Sequence, residues 1–364
     1  MNANAGGTDS ADPGVPEPPT WRGVAAGPVV AFVTVLAALL ATHAAGVGFR
    51  DPDHVVGRRL ALVGCLVVAL VILDVVVRAG WRSRTLTPSR TAMRSVRRER
   101  WTARRGVAVG SALVSFYVTY LAYRNLKSIV PLLSPDELFD RQLADLDRTL
   151  FAGNDPAELL HSLLGTGIAA EVLSLVYVLF IFFLPISLAL ALVFSPDLRG
   201  GIFYATALSI NWGLGAASYF LLPAVGPIYA APAGFADLPA TEVSRLQGLM
   251  LDQRQEFLRD PAAADAAQNI AAFASLHISM LFTAAVVAHM LGLGRRLRTG
   301  LWVLVALSAI ATIHLGWHYV VDDLAGLVIG LTALAIARGL TGFESCTSPR
   351  LAVVPSAAAQ NPVG

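Results

Sequence analysis

Apolar residues run through this chain in long blocks, not in the strict alternation of a half-buried strand. Eight blocks approach or exceed the roughly 20 residues that carry a helix across a hydrocarbon core: about 24–47, 60–79, 106–123, 168–194, 201–222, 273–292, 300–317 and 322–339. The fourth, through Leu173-Ser174-Leu175-Val176-Tyr177-Val178-Leu179-Phe180, is apolar all round, whereas the fifth and sixth contain Asn211 and Ser279. The pattern predicts an all-α, polytopic membrane bundle of about eight spans. Composition supports this, because apolar residues make up 55% of the chain and charged ones only 14%, too few to cover a soluble domain of 364 residues.

The two ends break the pattern. Residues 1–20, rich in Gly, Pro, Ala and Asp, and residues 341–364, small and polar with prolines, are expected to be disordered tails, the second cytoplasmic. The first apolar block starts too late and runs too long for a signal peptide. Between the tails, residues 21–105 form two N-terminal spans with a basic loop, and 106–340 hold the remaining spans. Cys65 in the second span and Cys346 in the tail have no plausible mutual contact, so neither a disulfide nor a cysteine-held metal is expected.

Charge sets the orientation. Arg82, Arg84, Arg90, Arg94, Arg97, Arg98, Arg100, Arg104 and Arg105 crowd the loop after the second span, and the positive-inside bias makes that loop cytoplasmic. Anionic headgroup binding there would be compatible with the same assignment. Alternation then puts Arg295, Arg296 and Arg298 inside as well, both termini in the cytoplasm, and the segments 124–167, 223–272 and 316–322 outside. Within 241–259, Val243, Leu246, Met250 and Phe257 recur as one helix face, expected to pack on the bundle or the interface. Among lesser polar residues, Asp74 and Arg78 have i,i+4 spacing, Glu171 lies near an outer span end, and Asn211 can bond between helices.

Three places on the inferred outer side can do chemistry. Tyr123-Arg124-Asn125-Leu126-Lys127 ends the third span, and Lys127 is the only lysine among 27 basic residues. Arg124 and Lys127 share a helix face and suit a phosphate, although both could simply snorkel to the headgroups. In Phe273-Ala274-Ser275-Leu276-His277, Ser275 can cap the sixth span, whose free amides make an anion site beside His277; a plain interfacial histidine is the alternative. In His314-Leu315-Gly316-Trp317-His318-Tyr319-Val320-Val321-Asp322-Asp323, a helical backbone would bring Asp322 to the Nδ1 of His318 and point Asp323 elsewhere. A zinc site from His277, His314 and His318 is a further reading, but it would need a carboxylate in reach and no surplus of Arg and Lys.

Together these segments resemble the type 2 phosphatidic acid phosphatase superfamily, and within it the branch of inositol phosphorylceramide synthase. Ala274-Ser275-Leu276-His277 stands where that superfamily has Pro-Ser-Gly-His. Thr312, His318 and Asp322 stand for its Arg, His and Asp. Leu276, Thr312 and Tyr319, with Pro223-Ala224-Val225-Gly226-Pro227-Ile228-Tyr229, look like the synthase branch. The resemblance covers roughly 107–340. It implies a six-helix core and a cofactor-free, metal-independent phosphatase or phosphotransferase; with the orientation set by the arginines, a plasma-membrane protein with its site facing outside is expected. It also implies that His318 is the nucleophile, Asp322 its partner and His277 the acid–base group, with Arg124, Lys127 and Ser275 holding phosphate. The substrate would be a lipid phosphate or phospholipid among membrane lipids, with water or a polyol or sugar as acceptor, and no nucleic acid is expected. A catalytically inactive scaffold or lipid transporter of the same fold is the alternative.

Overall fold

The computed structural model describes residues 21–51, 54–135, 137–262 and 267–344, so the expectations for the first tail, most of the second and Cys346 lie outside the described residues. Among those described there is no strand, as the apolar blocks predict. The helices are α1 (Trp21–Ala44), α2 (Val55–Ser83), α3 (Arg90–Arg100), α4 (Ala103–Leu133), α5 (Asp140–Leu150), α6 (Pro156–Leu164) and α7 (Ile168–Phe194). They continue with α8 (Arg199–Leu221), α9 (Pro227–Ala230), α10 (Glu242–Arg259), α11 (Leu276–Met290), α12 (Arg295–His314) and α13 (Val320–Thr341).

Eight of these correspond to the eight apolar blocks, and six, α1, α2, α4, α7, α12 and α13, are long and apolar enough to cross a membrane. Their outward faces carry Phe32, Leu62, Val68, Leu175 and Val328 in exposed positions, an apolar belt that only lipid can cover. The two that fall short are the two polar-containing blocks. α11 has only 15 residues, and α8 has 23 but dilutes its apolar character with Gly, Ser and Asn211. Position explains both. α8 packs against α1, α4, α7, α11 and α13, so it meets other helices where an outer helix meets lipid. There its polar groups find partners: Asn211 Nδ2 donates to Thr283 Oγ1 at 3.1 Å, and Ser279 Oγ donates to Asn211 Oδ1, joining α8 to α11.

α4 extends ten residues beyond its expected end at 123, so Arg124 and Lys127 lie inside a helix instead of at its exit. Neighbouring chain accounts for the extension. Asn125 exchanges hydrogen bonds with the Arg50 backbone at 3.0 and 2.8 Å, and Arg124 approaches Asp51 at 3.8 Å. The Asn125 amide is therefore satisfied within the protein, and this turn of α4 stays helical.

At the opposite end, buried Asp74 accepts from Arg78 at 2.7 Å, as the spacing predicts, and also from Arg100 at 2.8 Å and Trp101 at 3.1 Å. Arg105 donates to the Val193 and Ser195 carbonyls at the end of α7. Arg100 and Arg105 of the basic segment thus close the end of α7. α10 packs on α7 and buries Val243 and Phe257, the face read from its spacing.

α11 and α13 meet closely because Gly326 has no side chain: a Cβ there would stand 2.4 Å from the Ser275 carbonyl. Gly326→Ala is expected to cost about 1–3 kcal/mol, the usual penalty for overpacking. Gly339→Ala, on the same helix with open space around it, should instead be neutral or gain up to about 1 kcal/mol. Thermal unfolding of the detergent-solubilised variants checks the pair, and equal midpoints would refute the contact.

Candidate active site

The chemistry-bearing residues gather at the end of the bundle opposite α3. His318 lies in the short link between α12 and α13, where Thr312 O accepts from Trp317 N at 2.8 Å and His318 N at 3.2 Å, so the end of α12 folds back on itself. α13 starts only at Val320, so His318 and Asp322 are not one turn apart on a helix, as the spacing suggested. The contact forms by capping. The Asp322 carboxylate turns back over the helix start, accepts the Tyr319 N–H at 3.0 Å through Oδ2, and places the same oxygen 3.3 Å from His318 Nδ1. Asp323 points elsewhere, accepting from Thr312 Oγ1 at 3.0 Å. Thr312, where the resemblance would have an arginine, thereby anchors the second acid.

His277 sits in the first turn of α11, its ring stacked on Tyr177 with centroids 4.2 Å apart and close to Phe180 at 4.0 Å. Its Nε2 is buried without a hydrogen-bond partner among the described residues. Lys127 holds its ammonium over the rings of Tyr219 at 4.9 Å and Tyr123 at 5.9 Å, with no carboxylate in salt-bridge range among the described residues. Arg124 is 6% exposed, and its Nη1, near Asp51, has no hydrogen-bond partner among the described residues. His277, His318, Arg124 and Lys127 all line one cavity of about 600 Å³, and His277, His318 and Lys127 lie within electrostatic range of one another.

Ser275 departs from expectation. It occupies the N-cap position of α11 but makes no side-chain cap bond, its N–H donates to the Asp322 carbonyl at 3.0 Å, and it is not among the cavity-lining residues. The close approach of α13 at Gly326 draws the serine into the helix–helix contact and away from the cavity. His314 also points away. Its Nε2 contacts the Gly165 carbonyl at 2.9 Å, and its ring meets His161 edge-on at 4.6 Å, so the three histidines of the zinc reading do not come together.

Two carboxylates with no place in the sequence reading hold the site's loops. Asp140, at the start of α5, accepts from Val225 N, Gly226 N and the Tyr319 hydroxyl at 2.8 to 3.2 Å. Asp147, two turns on, accepts from Val320 N at 2.7 Å and Val321 N at 3.0 Å, capping α13 just behind His318. Asp140, Leu143 and Asp147 form the buried face of α5. That i, i+3, i+7 spacing was a readable signal: two acids flanking a leucine on one face of a short helix. Burial raises the Asp147 pKa against the two amide bonds that lower it.

Burial also pushes the His318 imidazole from 6.5 down to about 4, with Asp323 opposing the shift and Lys127 adding to it. The ring is therefore neutral at ordinary pH, with Nδ1 turned to Asp322.

Compared with protein families, residues 141–336, more than half of the chain, match the family described as the PAP2 superfamily. α2 and α4, including Arg124 and Lys127, precede the matched segment. No curated protein and no solved structure matches.

The depressed His318 pKa has a consequence for stability. Below pH 6.5 the unfolded chain takes up a proton that the folded one refuses until about pH 4. Stability is therefore lost as pH falls through that window, by on the order of 3 kcal/mol. His318→Gln, which has nothing to titrate, should flatten that part of the pH–stability profile; an unchanged slope would place the group elsewhere. Asp147→Asn should lower the unfolding midpoint by the equivalent of about 1–3 kcal/mol, since an amide cannot replace a carboxylate that accepts two buried N–H bonds.

Proposed function

The chain belongs to the PAP2 superfamily, and from that premise we propose that it is a membrane-embedded lipid phosphate phosphatase or phosphotransferase working through a phosphohistidine. The family generally comprises phosphatases and phosphotransferases. One observation carries the reading: two histidines about forty residues apart in sequence share a cavity wall with the only lysine and a buried arginine.

In the proposed cycle the phosphate sits between Lys127 and Arg124, whose buried Nη1 and unpaired ammonium meet its negative charge in a low-dielectric pocket. His318 Nε2 attacks phosphorus, forming the P–N bond as the bond to the leaving oxygen breaks. Asp322 holds the Nδ1 proton and stabilises the cationic ring that results. His277, whose imidazolium form the bound phosphate favours, passes a proton to the leaving oxygen. In the second half it takes one from the incoming water or alcohol, which restores His318. Ser275 contributes indirectly, its amide locked to Asp322 so that the starts of α11 and α13 face the same phosphate. With this much positive charge in place, no metal is required. Water as acceptor gives hydrolysis. A polyol or sugar hydroxyl gives transfer, the outcome toward which the synthase-like residues Leu276, Thr312 and Tyr319 lean. The arginines of α3 favour an arrangement at the plasma membrane with that end and both termini cytoplasmic, so that the cavity faces outside.

Purified protein incubated with radiolabelled lipid phosphates, with and without polyols and with a strong chelator, tests the reading. Release of phosphate or formation of a labelled polyol phosphate, insensitive to chelation, is expected. His318→Ala should abolish the acid-labile phosphoenzyme while the protein stays folded. His277→Ala should slow turnover by about 10²–10⁴ while an activated leaving group still phosphorylates His318. Full activity of His318→Ala would overturn the mechanism. A protein inactive on every substrate, and functional in cells without either histidine, would be a scaffold or transporter.

A further inference from the structure

The cavity extends well beyond the phosphate end. On α4 it reaches from Lys127 back to Phe116, about 16 Å at the rise of an α-helix. On α7 it reaches Leu184 and Pro185, more than halfway along that span, and Trp212 of α8 and Val63 of α2 complete the far wall. Its polar groups are concentrated at the histidine end, and the far end is aromatic and aliphatic. Where it borders α2 and α7 the side chains Leu62 and Phe182 are themselves exposed on the lipid-facing surface, at 69% and 59%. One volume therefore joins a cationic pocket to the bilayer interior.

α2 is the element that closes this volume laterally. It packs on both α4 and α7 and precedes the family-matched segment. It is fastened at the mouth by Arg59, whose Nη1 donates to the Tyr120 hydroxyl at 2.6 Å and whose guanidinium lies 5.5 Å over that ring. We propose that α2 forms one wall of a hydrocarbon slot that takes the tail of the same lipid whose phosphate meets His318, and that the slot sets chain-length preference. The occupant follows from continuity. A ligand with a phosphate at the histidines and an apolar remainder has one apolar route within the protein, and burying that remainder is favourable by about 0.8 kcal/mol per methylene. A volume of about 600 Å³ is of the size that holds a ligand of this kind.

The inference rests on the proposed lipid-phosphate reading, and two measurements separate their failures. The first compares kcat/KM on hexadecyl phosphate and butyl phosphate for the wild type, Val63→Trp and Val68→Trp. Val63→Trp fills the slot and should lower the long-to-short ratio by about tenfold or more. Val68→Trp, on the lipid-facing side of α2 and away from the cavity, should leave the ratio within about twofold. An unchanged ratio in Val63→Trp, as expected if a resident bilayer lipid occupied the slot, would overturn the inference and leave the function standing. The second measurement photolabels the wild type with an alkyl phosphate bearing a diazirine at its tail end. Labelling of the peptides containing Phe116 and Leu184 supports the slot even if neither phosphate is turned over, a result that would sink the function alone. Label confined to the outer belt would overturn the slot.

Discussion

Irregular backbone at the edge of a membrane must have its N–H groups satisfied, and in this protein two buried carboxylates on one short helix do it. Asp140 takes the amides of Val225 and Gly226, and Asp147 takes those of Val320 and Val321. The loop after α8 and the link before α13 are thereby tied to the same face of α5. Tyr319, directly after His318, adds its hydroxyl to Asp140, so the residue beside the candidate nucleophile is fixed from both backbone and side chain. Gly226 completes the arrangement with its φ of 95°, and a Cβ there would meet the Trp317 carbonyl at 2.5 Å. Ile228 N donates to the Gly316 carbonyl at 2.8 Å, continuing the same loop-to-loop contact.

The site's charge balance follows from this scaffold. Asp322 and Asp323 are both buried, yet they face different partners, His318 and Thr312, because consecutive residues at a helix start point in different directions. Basic groups approach from α4, where Arg124 has Asp51 nearby and Lys127 lies over aromatic faces. An ammonium over tyrosine rings is partly stabilised by their faces, with no carboxylate in salt-bridge range among the described residues. Asp51 offsets part of the Arg124 charge, and this gives the region before α2 an indirect hold on the proposed phosphate site.

Much of this was legible in the sequence because the membrane imposes a simple rule on composition and length. Block 168–194 coincides with α7, and the two blocks interrupted by Asn211 and Ser279 proved to be the two helices placed at the centre of the bundle. The pairing of His318 with Asp322 was also legible, although its geometry was not, since helical spacing and a capping turn both bring residues four apart together. The missing cap bond of Ser275 was not legible, because a serine before an apolar run looks the same whether its amide is free or already taken by a neighbouring helix. Asp140 and Asp147 went unread because acids in an external segment resemble ordinary surface charge until the loops they serve are placed against them. His161 and His314, another meeting of distant histidines, show that such a pair does not mark a site by itself: each donates its Nε2–H to a backbone carbonyl at a helix end, His161 to His314 and His314 to Gly165.

The sequence boundary near residue 105 divides two helices from the resembling core, but packing does not respect it. α1 lies against α4 and α8, and α2 against α4 and α7, so the first two spans contact the helices that carry the lysine, the arginine and the aromatic wall. Removing them would expose Phe116, Tyr117 and Trp212 along a cavity that now opens only in part to lipid. The proposed ligand, half polar and half hydrocarbon, would need one end charged and the other end sheltered, and no single helix pair supplies both. The charged end is assembled from α4, α11 and the link before α13, and the sheltered end from α4, α7, α8 and α2. α4 is common to both ends, its polar turn lying inside the helix and its aromatic residues further along.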